Sequence, residues 1–235
     1  MMRTTKIFTL LFLSAFLFSC VTKSTSEKRN PHNLPIVNSV EKYKSQVAEN
    51  PHLELVDLEK ELNNVVLDIR YATNNNFTKE VIYQSPKAYA RKPVAAALKL
   101  VQDSLAFLNL GLKIYDAYRP YAATLKFYEV YPDPDFVASP KTGSRHNRGC
   151  AVDVSLVNLT TKQELEMPTA FDDFSEKAHS DYTDLPEAAL QNRTILIGVM
   201  SHFGFSVISS EWWHFDFKGW EDFPLMDLSF EELTN

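Results

Sequence analysis

Ser144-Arg145-His146-Asn147-Arg148-Gly149-Cys150-Ala151-Val152-Asp153-Val154-Ser155-Leu156-Val157 passes from a polar turn into a strand, and that passage organises the rest of the chain. From Ala151 the alternation puts Val152, Val154 and Leu156 on one face. Asp153 falls on the other, with Ala151 and Ser155. A carboxylate inside an otherwise apolar strand is costly to bury without a partner, and a cation or metal ion resolves that cost. His146 stands seven residues earlier in the polar loop, and Gly149 between them permits a close backbone approach. His146 and Asp153 alone mean little; most such pairs are surface residues.

On either side of this strand the pattern alternates between the two periods. Val65 to Tyr71 is β-rich and runs into a polar turn, Thr73 to Asn76. Pro93 opens a helix in which Val94, Leu98, Val101, Leu105 and Leu108 recur at helical spacing, with Gly111 as its stop. Leu112 to Asp116 reads as a strand leading to Tyr118-Arg119-Pro120. A second helix covers Ala122 to Val130 and a third runs from Pro186 to about Phe203. Phe205 to Ile208 and Trp213 to Phe217 form a hairpin whose last strand puts His214 and Asp216 on one face. Strands and helices mix without a βαβ rhythm, so the class is α+β rather than a doubly wound sheet. Six glycines in 235 residues, and no Gly-rich loop, leave no phosphate cradle.

About sixty residues beyond His146 lies Glu211-Trp212-Trp213-His214. His146, Asp153 and His214 make a three-ligand set for zinc with a fourth position open to water, the pattern of catalytic rather than structural sites. In an unbroken strand Glu211 and His214 would point apart, so Glu211 belongs in the turn just before the strand, placed to take a proton. The paired tryptophans fix that turn and exclude water. An aromatic core strand with an incidental histidine is the plainer reading of this segment alone; the first segment tips the balance to a metallohydrolase. His32, His52, His179 and His202 stay outside the site.

The chain begins with Arg3 and Lys6 and an apolar run from Ile7 to Phe18, too short to span a bilayer and suited to an export signal. Leu17-Phe18-Ser19-Cys20 resembles a lipobox, with Cys20 as the lipidated residue; an ordinary signal peptide or an uncleaved anchor is the alternative. The organisation expected is a signal peptide over 1–19, lipidated Cys20 and a flexible polar tether over 20–50, and one domain over 51–235. Cys150 is then unpaired, so stability must come from a core. Loss of residues 1–19 removes two of the 24 basic residues, leaving 22 against 30 acidic ones. An acidic chain without a basic stripe is a poor nucleic-acid binder. Membrane contact is expected through the lipid, which places the protein in the bacterial cell envelope, exported and anchored.

Tyr71-Ala72-Thr73 with Asn76-Phe77-Thr78, Tyr118-Arg119-Pro120, the Ser144–Asp153 segment, Phe171-Asp172 and Glu211-Trp212-Trp213-His214 occur in an order that resembles the zinc D-alanyl-D-alanine dipeptidases, over residues of about 53 to 220. The resemblance implies an α+β fold with a central antiparallel sheet flanked by helices, and one zinc per chain in a confined cleft. It implies His146, Asp153 and His214 as ligands, Glu211 as general base and Arg119 as the stabiliser of the oxyanion. Tyr71, Ser144 and Asp172 would line the site of a small peptide such as D-Ala-D-Ala, with Asp172 facing the free ammonium and Asp173 beside it as a rival. Cys150 stands where the family usually has a small residue such as serine, a thiol close to the ligand turn.

Three other readings stand beside this one. A D,D- or L,D-carboxypeptidase trimming peptidoglycan stem peptides uses the same machinery. Two histidines and a carboxylate also make the facial triad of iron(II) oxygenases, though the adjacent glutamate fits hydrolysis better. An inactive peptidoglycan-binding lipoprotein would have no need of a general base. Oligomeric state is not legible.

Overall fold

The computed structural model describes residues 29–234. Among them are strands β1 (Ile36–Val37), β2 (Leu55–Asp57), β3 (Val66–Leu67), β4 (Tyr89–Arg91), β5 (Leu110–Asp116), β6 (Ala151–Asn158), β7 (Phe205–Val207), β8 (His214–Phe217) and β9 (Leu225–Met226). The helices are α1 (Val40–Glu49), α2 (Leu58–Glu61), α3 (Lys92–Ala106), α4 (Tyr121–Val130), α5 (Glu187–His202) and α6 (Phe230–Thr234). Five strands form the main sheet in the order β3-β5-β6-β8-β7. β5, β6, β8 and β7 pair antiparallel, whereas β3 joins β5 in parallel. The α+β class therefore holds, and the sheet is antiparallel except at one edge.

The β6 alternation works as the sequence implies. Val152, Val154 and Leu156 are fully buried and join Leu112, Ile114 and Phe215 from the neighbouring strands in one core. Helix α3 completes it with Leu98, Val101 and Leu105, and α5 with Leu196 and Met200. Burying each such side chain contributes about 1.5–3 kcal/mol. The opposite face of β6, with Asp153 and Ser155, is buried too.

Three departures from the sequence reading have physical causes. β3 is only two residues long, because the chain turns at Arg70–Ala72 into a single 3₁₀ turn. Helix α3 ends at Ala106, and the reversal is made by Asn109 at φ 56°, so Gly111 lies inside β5. An added Cβ at Gly111 would come 2.7 Å from the Leu159 side chain, which makes it a packing glycine rather than a stop.

The third departure concerns the stretch read as tether. Within 20–50, Ile36 and Val37 are buried and pair in parallel with Leu225 and Met226 of β9. Helix α1 follows, capped by the Ser39 hydroxyl accepting from the Lys42 amide. Its residues are mostly exposed, which hid it from a search for apolar periodicity, yet the Tyr43 hydroxyl accepts from the Leu55 amide at 2.8 Å. The signal segment and Cys20 lie outside the described residues. Among the described residues no helix is long and apolar enough to cross a membrane.

Candidate metal centre

The site is a row of side chains across three neighbouring strands. Asp153 of β6 sits opposite His214 of β8 on one side and Asp116 of β5 on the other. Regular pairing would have brought Tyr115 to that place. A bulge between Ile114 and Asp116 shifts the register and delivers Asp116 instead.

His146 reaches the row from the loop before β6. Asn147 staples that loop: its side-chain oxygen accepts from the Ser144 amide at 2.7 Å, and its amide donates to the Arg119 carbonyl and the Thr124 hydroxyl. The Ser144 hydroxyl accepts from the His146 amide at 3.2 Å. Gly149 closes the turn at φ 70°, where an added Cβ would meet Leu55 at 2.6 Å. The buried Arg91 grips the same turn, its Nε donating to the Arg148 carbonyl at 2.7 Å.

His146 Nε2, Asp153 Oδ1 and His214 Nδ1 converge, at separations of 3.1 to 3.3 Å. A tetrahedral ion with bonds of about 2.0–2.1 Å requires donors about 3.3 Å apart, so the set fits zinc. The outward nitrogens are also fixed. His146 Nδ1 lies 2.7 Å from the Ala117 carbonyl and His214 Nε2 lies 3.0 Å from Asp216 Oδ1. Both partners only accept, so both outward nitrogens carry protons and the inward ones present lone pairs. Burial opposes a charge on His214, but Asp153 and Asp216 outweigh it and push its pKa up to about 10. A field that favours a proton there favours a metal cation.

Glu211 lies in the turn before β8, its Oε2 3.9 Å from His214 Nδ1. Burial pushes its pKa up to about 7, a value suited to a group that takes and returns a proton near neutrality. Arg119 is buried, with Nε donating to Asp116 Oδ2 at 2.8 Å, NH2 3.6 Å from Asp153 and the guanidinium over the Phe127 ring. Asp116 also accepts from the Tyr83 hydroxyl and the Ala117 amide. Asp172 is held at φ 62°, one oxygen accepting from the Tyr71 hydroxyl at 3.0 Å. Its other oxygen is buried with no partner, and burial raises its pKa well above the carboxylate range. Asp173 turns away, accepting from the Ser175 amide in an exposed turn.

These groups share one cavity of about 390 Å³, lined by Tyr71, Arg119, Ser144, Asp172, Glu211 and the three donors. That is the small end of ligand-site volumes. Asp116 and Asp216 were not assigned roles from the sequence. Asp216 carried a signal, sharing a face with His214; Asp116 did not, because the bulge is invisible in the alternation. Cys150 is fully buried and its thiol is pushed up to about 12 by burial, which leaves no reactive thiolate near neutrality.

The sequence profile of the D-ala-D-ala dipeptidase family matches residues 51–227. The D-alanyl-D-alanine dipeptidase of Escherichia coli is 36% identical over 177 residues, covering 74% of this chain and 89% of its own. That of Enterococcus faecalis is 32% identical, covering 67% and 88%. That of Streptomyces coelicolor is 31% identical, covering 64% and 85%.

Proposed function

Because this chain belongs to the D-alanyl-D-alanine dipeptidase family, we propose that it is a zinc metallopeptidase that hydrolyses D-Ala-D-Ala or a closely related dipeptide. The observation that carries this reading is the convergence of His146 Nε2, Asp153 Oδ1 and His214 Nδ1 beside Glu211 in one buried cavity. One zinc per chain, held by these three atoms, would supply a Lewis acid that activates water and polarises the scissile carbonyl.

The chain's own residues do the rest. Glu211 takes the proton from the attacking water as the C–O bond forms. It then returns that proton to the amide nitrogen as the C–N bond breaks. The Arg119 guanidinium, held in place by Asp116, faces the negative charge that develops on the carbonyl oxygen. The unpartnered Asp172 oxygen and the Tyr71 hydroxyl receive the substrate's ammonium, which resolves an otherwise costly buried group. The Ser144 hydroxyl lines the same dipeptide site.

The test is hydrolysis of D-Ala-D-Ala with bound zinc quantified, beside L-Ala-L-Ala and N-acetyl-D-Ala-D-Ala. Zinc-dependent cleavage of the free D,D-dipeptide alone is expected. Cleavage of only the acetylated peptide would move the reading to a carboxypeptidase, and one bound zinc with no cleavage would overturn the dipeptidase and move the reading to a carboxypeptidase of longer stem peptides.

The leader supports a further element of the proposal: export, lipidation at Cys20 and residence in the cell envelope, the Leu17-Phe18-Ser19-Cys20 segment carrying it. Radiolabelled palmitate incorporation, lost in Cys20→Ala, tests it.

A further inference from the structure

The two histidines of the metal centre are held from outside in different ways. His146 Nδ1 lies 2.7 Å from a backbone carbonyl, that of Ala117, whose place the main chain sets. His214 Nε2 faces a side chain instead, with Asp216 Oδ1 at 3.0 Å. Asp216 follows His214 by two residues on β8, so both project from one face of the strand. A side chain needs an anchor of its own to serve as a fixed partner. Asp216 finds it in Arg145, whose NH1 lies 3.2 Å from the second carboxylate oxygen. The Trp220 ring, whose centre is 4.8 Å from the Arg145 guanidinium carbon, restricts the arginine in turn. Arg145 belongs to the other ligand segment, being the residue before His146. The ladder between β6 and β8 pairs Asp153 with His214 and Ala151 with Asp216, and the Phe217 amide donates to the Cys150 carbonyl at 2.8 Å. The turn that carries His146 lies beyond that ladder, and the Arg145–Asp216 pair ties it to the His214 strand.

We infer that Asp216 and Arg145 are a positioning pair for the metal: Asp216 fixes the His214 ring by its outward nitrogen, and Arg145 holds Asp216 there while clasping together the two segments that supply the ligands. This rests on the zinc reading of the site. A hydrogen-bonded carboxylate behind a metal-bound imidazole sets the ring's orientation and makes the nitrogen facing the metal a better donor. The Arg145 side chain is half-exposed, and such an ion pair contributes little by itself. Its worth lies in where it holds the carboxylate, so the guanidinium acts on the metal through Asp216.

The experiment measures the zinc affinity of the full chain by competition with a chromophoric chelator. Asp216→Ala should weaken binding about 10- to 100-fold, the usual loss when such a partner is removed. Asp216→Asn, which keeps an acceptor, should lose less. Arg145→Ala should cost about 2- to 5-fold, in keeping with a half-exposed pair, and Arg145→Lys should recover part of that. In a chain that already carries Asp216→Ala, Arg145→Ala should cost nothing further, because its effect passes through the missing carboxylate. Cobalt(II) in the same site should show a shifted visible absorption in both Asp216 variants, a signature of altered ligation that a merely structural role would not give. Unchanged zinc affinity and an unchanged cobalt spectrum in the Asp216 variants overturn the inference. So does an undiminished effect of Arg145→Ala in the Asp216→Ala background, which would give Arg145 a separate role. If Asp216→Ala does not fold, Asp216→Asn takes its place in both comparisons. An unsubstituted chain that binds no zinc overturns the zinc reading itself, whereas zinc binding that the variants leave untouched overturns this inference alone.

Discussion

Glu211, the proposed general base, shows how a single buried residue can burden the fold. Its carboxyl titrates near 7 in the folded chain, against 4.5 as its ordinary value, because burial disfavours the charge. Below pH 4.5 it is protonated whether folded or not and costs nothing. Between 4.5 and 7 the folded state holds the proton more tightly, so stability falls as pH rises, and above 7 the full penalty applies. Glu211→Gln should therefore stabilise the metal-free protein at pH 8 by up to about 3 kcal/mol and leave it nearly unchanged at pH 4. Denaturant unfolding at the two pH values reads this directly; equal gains at both would show that burial does not strain Glu211. The same substitution should retain zinc while kcat falls about 10²–10⁴-fold, the usual worth of a general base. A variant with full turnover would remove Glu211 from that role.

At the level of elements, the site depends on how a turn enters a strand. The alternation of β6 was legible because side-chain period and burial coincide, and so was the placing of Glu211 before β8. What could not be read was the β5 bulge, since one extra residue leaves no mark on an apolar run. Nor could the length of α3 be read, because its end depends on Asn109 and on the space around Gly111. Gly149 was legible as a close-approach glycine, and the structure shows what it approaches. Its φ of 70° is strained for any L side chain, and an added Cβ would come 2.6 Å from a Leu55 methyl that would have to move. Gly149→Ala should cost about 1–3 kcal/mol, lowering Tm by about 3–10 °C in a chain of this size. Because the Gly149 amide donates to the His146 carbonyl at 3.0 Å, zinc affinity should fall as well. Unaltered Tm and zinc affinity would show that the turn has slack.

Over the whole molecule, the two ends of the described chain meet behind the His146 loop. β1 pairs with β9, the Asp227 amide donates to the Val37 carbonyl at 2.9 Å, and Leu225 packs where a Cβ on Gly143 would stand. Arg91 joins the same assembly, its guanidinium donating to the carbonyls of Leu53, Arg148 and Pro224. These contacts link residues far apart in the chain, and a two-residue strand in a polar segment has too little pattern to announce itself. For that reason the sequence reading placed the start of the domain near residue 51, where the family profile also begins to match. A chain trimmed to begin at residue 51 loses the buried Ile36 and Val37 and the Tyr43 hydroxyl that accepts from Leu55. Losing the burial of two apolar side chains and their backbone pairing should destabilise the domain. The trimmed protein should melt below one beginning at residue 29. It should also bind zinc more weakly, since Leu225 then has an open edge beside the His146 loop. Equal melting temperatures would return residues 29–50 to the status of a tether. A lower one would make the segment nearest the proposed lipid anchor a working part of the catalytic fold.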